Sequence, residues 1–111
     1  MASLNKGNAG NFVKLVHVTE RYFRHPDVEK ILDYQQAGHA AINLSEIAGY
    51  VQDHVLEEGE KLSGRDLSQI RDTLKRAAYL LRNREIAKIG FALSSTVVAD
   101  RLEEAAKTLR R

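Results

Sequence analysis

Ser63-Gly64-Arg65-Asp66-Leu67-Ser68-Gln69-Ile70-Arg71-Asp72-Thr73-Leu74-Lys75-Arg76-Ala77-Ala78-Tyr79-Leu80-Leu81 carries the clearest structural signal in the chain. Leu67, Ile70, Leu74, Ala77 and Leu81 recur at the spacing of one helix face, which predicts an amphipathic helix. Ser63 suits the N-cap, Asp66 occupies the third helical position, and Leu62 can staple to Leu67. The seam covers too few heptads for a free coiled coil, so it predicts a helix packed in a bundle.

Upstream, the same reading applies. Phe12, Leu15, Val16, Thr19, Tyr22 and Phe23 share a helical face, opposite Lys14, His17, Arg21 and Arg24. His25-Pro26 ends that helix and starts a short second one, which Ala37-Gly38 is expected to close. A third start is expected at Asn43, with Glu46 completing a capping box and Ile42 and Ile47 as the staple. Its apolar stripe is Leu44, Ile47, Ala48, Val51 and Val55, and Glu57-Glu58-Gly59-Glu60 finishes it.

Downstream, Ile86, Ile89, Leu93, Val97, Leu102, Ala105 and Leu109 fit one long helix, bent near Gly90. The alternative is a break after Gly90, with Ser94-Ser95-Thr96 capping a separate helix. We expect an all-α fold: a compact antiparallel bundle of four or five helices with a long C-terminal helix. Residues 1–10 are expected to be a flexible lead-in and residues 11–111 a single helical domain.

Composition narrows the function classes. The chain has 111 residues, no cysteine, one proline and a net charge of +2. Without cysteine there is no disulfide, thiolate metal site or cysteine nucleophile, and a reducing, cytoplasmic setting is expected. No apolar run approaches the roughly 20 residues of a membrane span, and the N-terminus lacks the apolar core of a signal peptide.

The modest total charge hides an asymmetry. Residues 1–60 hold five Lys/Arg and nine Asp/Glu, whereas residues 61–111 hold twelve and six. Such a division hints at an ionic partner. In the basic half, Arg71, Lys75 and Arg82 fall on one stripe, with Tyr79 at its edge and Arg76, Arg84 and Lys88 nearby. That set is the candidate nucleic-acid surface, where cations track phosphates and one aromatic stacks on a base. The competing account is a solvated stripe whose charges pair with Asp72, Glu85 or the acidic half.

In the acidic half, Glu46, Tyr50, Asp53 and Glu57 form the candidate partner-binding face. A carboxylate-bridged metal site in a bundle needs Glu-x-x-His pairs, and none occurs, so no metal is expected. Asn83 to Val98 has the outline of a helix-turn-helix. However, its glycine spacing is off by one residue, and Asp100, Glu103 and Glu104 would face phosphate poorly. The four histidines are scattered at helix faces and junctions, and Ser94, Ser95 and Thr96 have no identifiable base.

No phosphate loop or dinucleotide fingerprint is present. The leading expectation is a non-enzymatic, cofactor-free interaction or regulatory protein that binds another protein through a helix face. The alternative is a nucleic-acid-binding regulator using residues 71–88. The expected long final helix would outrun the short second helix and leave apolar surface. A homodimer through the fourth and fifth helices is therefore expected as well.

Overall fold

The computed structural model describes residues 4–109. The chain folds as an all-α bundle: α1 (Ala9–Phe23), α2 (Pro26–Leu32), α3 (Tyr34–Val51), a π-helical turn (Gln52–Glu57), α4 (Gly64–Leu81), α5 (Arg84–Ala87) and α6 (Ser95–Thr108). Among the described residues no helix is long and apolar enough to cross a membrane.

The four long helices form an up-down-up-down ring. α1 packs along α3 and α4 along α6, while the α3–α4 and α1–α6 seams touch more sparingly. Polar ties fix the register of α4 and α6. The Arg71 guanidinium donates to the Leu109 carbonyl at 2.9 Å, and Arg82 reaches Asp100 and Glu103 at 2.7 Å each. At the α3–α4 seam the Tyr50 hydroxyl donates to Asp66 Oδ2 at 3.0 Å and Asn43 lies with Arg76, so those helices run antiparallel too. The bundle measures 38 × 22 × 22 Å.

α4 forms where its pattern predicts. Ser63 accepts from the Asp66 amide at 3.1 Å, Leu62 is buried, and Leu67, Ile70, Leu74, Ala77 and Leu81 all line the core. The core continues through Phe12, Val16 and Phe23 of α1 and Leu44, Ala48 and Val51 of α3. Gly59 ends the π turn with φ +68°, a conformation that favours glycine, and its amide donates to the Val55 carbonyl at 3.0 Å.

Three boundaries differ from the sequence expectation. First, the break between the second and third helices falls at Asp33, not between Gly38 and Asn43. Asp33 has φ 74°, and its carboxylate accepts from the Gln36 amide at 2.9 Å. Gly38 and Asn43 lie inside α3. Packing explains the choice: Ala37, Ala41, Leu44, Ala48 and Val51 are all buried at helical spacing, a stripe that runs through the expected break. Short alanines let α3 come close to α1 there.

Second, the C-terminal segment is two helices, α5 and α6, in place of one long helix. On a continuous helix Phe91 would lie far from the stripe of Ile86 and Val97. With the helix broken, its ring stacks on Tyr22 at 4.2 Å and meets His25 edge-on at 5.1 Å. The Tyr22 hydroxyl donates to the Leu93 carbonyl, and Ser94 caps α6 by accepting from the Thr96 amide at 3.2 Å.

The break also removes the premise of the expected homodimer. α6 lies along α4 with Val98, Ala99, Leu102 and Ala106 fully buried, while Val97 stays 37% exposed.

Third, the folded chain starts before residue 11. Leu4 and Ala9 are core residues, and the Ala9 amide donates to the Asn5 carbonyl at 2.9 Å. Residues 1–3 of the expected lead-in lie outside the described residues.

Candidate functional site

The expected basic stripe divides among three surroundings. Arg71 and Arg82 point at α6. Arg71 completes the C-terminal end of α6 through the Leu109 carbonyl, and also reaches Ser68 Oγ at 3.5 Å. The carboxylates of Glu103 and Asp100 hold the Arg82 guanidinium even further above its ordinary, already high pKa. Lys88 pairs loosely with Glu85 at 3.4 Å. Lys75, Arg76 and Arg84 are exposed and carry no carboxylate partner among the described residues. Tyr79 is 72% exposed.

Arg76, Tyr79 and Arg82 border clefts on the α3–α4 seam. One cleft of about 390 Å³ lies between Asp33, Gln36, His39 and Asn43 on one wall and Arg76 and Leu80 on the other. A second, of about 470 Å³, continues from Gln36 and Leu80 to Tyr79, Arg82 and Asn83.

The acidic candidates lie on the same seam. Glu46 and Tyr50 of α3 and Asp66 of α4 surround a cleft of about 200 Å³ floored by Ile47 and Ile70. Tyr50 also stacks on His54 at 4.2 Å, and His54 Nδ1 lies 2.8 Å from Glu60. The hydrogen bond to Asp66, with smaller contributions from burial and from the charges of Asp66 and Glu60, raises the Tyr50 pKa. Asp53 and Glu57 belong to the π turn, whose wider turn shifts them out of line with Glu46 and Tyr50. Both are exposed.

The two faces that looked separate in sequence thus border one α3–α4 seam, in clefts that share no lining residue between the acidic and basic ends. Antiparallel α3 and α4 bring Tyr50 beside Asp66 and Asn43 beside Arg76. From Gln36 to Tyr50 the seam spans about 21 Å at 1.5 Å per residue. Ala40, Ile47, Ile70 and Leu80 line its clefts; one end carries Glu46 and Asp66, and the other carries Arg76, the α6-paired Arg82 and Asp33.

Sequence reasoning missed Gln36, His39, Asn43 and Gln69 on the lips of these clefts. The signal that would have found Gln36 was Asp33-Tyr34-Gln35-Gln36, itself a capping-box pattern, passed over for Asn43-Leu44-Ser45-Glu46.

The histidines occupy local roles. His25 Nδ1 accepts from the Asp27 amide at 3.1 Å and caps α2, and His17 lies 3.5 Å from Glu20. Among the described residues no group of three His, Cys, Asp or Glu side chains is placed to hold a metal ion. Compared with known proteins, the chain matches no family model, no curated protein and no solved structure.

Proposed function

We propose that the chain is a non-enzymatic regulatory module that binds another protein through the α3–α4 groove. One observation carries this reading: Glu46 and Tyr50 of the acidic set and Arg76, Tyr79 and Arg82 of the basic set all line clefts on the α3–α4 seam, with a tyrosine at either end. Tyr50 is 39% exposed at the acidic end and Tyr79 is 72% exposed at the basic end. Tyrosines at a groove rim supply large contact area at low entropic cost, and such residues dominate binding energy at interfaces. The apolar floor with polar lips fits an amphipathic helix laid between two helices. Charges of opposite sign at the two ends would fix its direction and its register.

A nucleic-acid role for residues 71–88 has less support, because Arg71 and Arg82 are engaged with α6. That leaves Lys75, Arg76 and Arg84 as cations without a carboxylate partner among the described residues, interspersed with Asp72 and Glu85. A cytoplasmic setting is part of the proposal on the strength of the cysteine-free sequence.

A pull-down from native lysate, with and without nuclease, tests the proposal. The wild type should retain a protein partner after nuclease treatment, and a Tyr50→Ala/Tyr79→Ala variant should lose it. Loss of the partner on nuclease treatment, or full retention by the variant, would overturn it.

A further inference from the structure

We propose a second binding site on the α1–α6 seam, a trough for a single-chain anionic amphiphile: an alkyl tail with one carboxylate or phosphate head. It uses different residues from the α3–α4 groove and stands without it.

Two clefts of about 220 and 350 Å³ run into one another there, sharing Asn11 and Leu15. Phe12, Leu15, Val18, Val98, Ala105 and Leu109 supply the apolar lining, and Leu4 closes one end. Val18 keeps 37% of its surface exposed, so apolar area remains to be covered. Each wall is about 15 Å long at 1.5 Å per residue, from Asn8 to Val18 and from Val98 to Leu109.

Charge complementarity selects the occupant. Lys14 of α1 and Arg101 of α6 line the same cleft, toward the end bordered by Val18, Leu93 and Val98, and no acidic residue lines either cleft. Neither cation has a carboxylate partner among the described residues. The rest of the lip is uncharged, formed by Asn8, Asn11 and Thr108. An acidic helix would present several carboxylates along its length, but among the described residues the lining cations stand only in the half bordered by Val18, Leu93 and Val98. A single anionic head at that end, with its tail along the apolar trough, matches both features. Tail burial supplies affinity in proportion to the methylenes covered, and the paired cations fix the head.

Dodecanoate, kept below its micelle-forming concentration, is the probe. Titration calorimetry should show one saturable site on the wild type, and amide shift changes confined to residues 8–18, 93 and 98–109. Dodecanol, with the tail alone, should bind about tenfold more weakly, as should dodecanoate to a Lys14→Gln/Arg101→Gln variant. Butyrate should not bind. Ala105→Phe fills the trough and should abolish binding, while Val97→Phe, outside the trough lining, should not; melting curves verify that both variants are folded. Absence of a saturable site, equal affinity in the charge-neutralised variant, or shift changes centred on α3–α4 would each overturn the assignment.

Discussion

Replacing Gly38 by alanine should stabilise this protein, and the sign of the change tests the path of the chain from α2 to α3. Gly38 lies inside α3 with nothing within 4 Å of an added Cβ, and its φ is not positive. Alanine there lowers the backbone entropy cost of helix formation by about 0.5–1 kcal/mol. Asn43, exposed in the same helix, makes a matched second site. Asn43→Ala should add about 0.5 kcal/mol from helix propensity. Added together, the two changes should gain the double variant about 1–1.5 kcal/mol.

The alternative gives the opposite sign. If the second helix closed at Gly38 in a left-handed cap, alanine would cost about 1–2 kcal/mol. If Asn43 capped the third helix, its loss would cost about 1 kcal/mol. Urea unfolding followed by helical circular dichroism measures both variants, with an unchanged slope showing that the unfolded state is unaltered. A lower midpoint in either single variant would refute a continuous α3 from Tyr34 to Val51.

Asp33 offers a second test, since it combines a positive φ with the cap of α3. Asp33→Ala loses the cap and should cost about 1 kcal/mol, whereas Asp33→Gly relieves the backbone and should be at least as stable as wild type; urea midpoints of the pair separate them. At the start of α6, Ser94→Ala should cost about 1 kcal/mol by losing the cap. Ser95→Ala should gain about 1 kcal/mol, because the buried Ser95 hydroxyl has no hydrogen-bond partner among the described residues. Thermal melts should therefore move in opposite directions for these neighbours, and a shared direction would argue against the break before α6. Burial, opposed by the charge of Arg101, raises the Tyr22 pKa. Above pH of about 10 the folded state then holds more protons than the unfolded state, so stability falls as pH rises. Tyr22→Phe should be less stable at neutral pH, through loss of the bond to Leu93, and should show a shallower alkaline decline in urea unfolding.

Much of this fold was legible locally. Ser63 and Leu62 announced α4, Pro26 started α2, and Gly59 closed the segment before α4, because each signal resides in one or two neighbouring residues. Failures came where local signals tied. Asp33 and Asn43 both head capping boxes, and only the buried alanines of α3 against α1 decide between them. Phe91 likewise carries no mark of its stacking on Tyr22, which lies in another helix. For the candidate site, sequence supplied most of the charged side chains but grouped them wrongly. The pairing of Tyr50 with Asp66 across the seam depends on helix register, which no periodicity reveals.

The central claim is that a protein partner docks in the α3–α4 groove. A photo-crosslinking amino acid placed at Tyr79, and separately at the exposed Glu104 of α6, tests it in nuclease-treated native lysate. The account predicts a discrete protein adduct from position 79, competed by unmodified wild type, and none from position 104. An adduct from position 104 alone, or none from position 79 under conditions where the unmodified protein retains its partner, would contradict it.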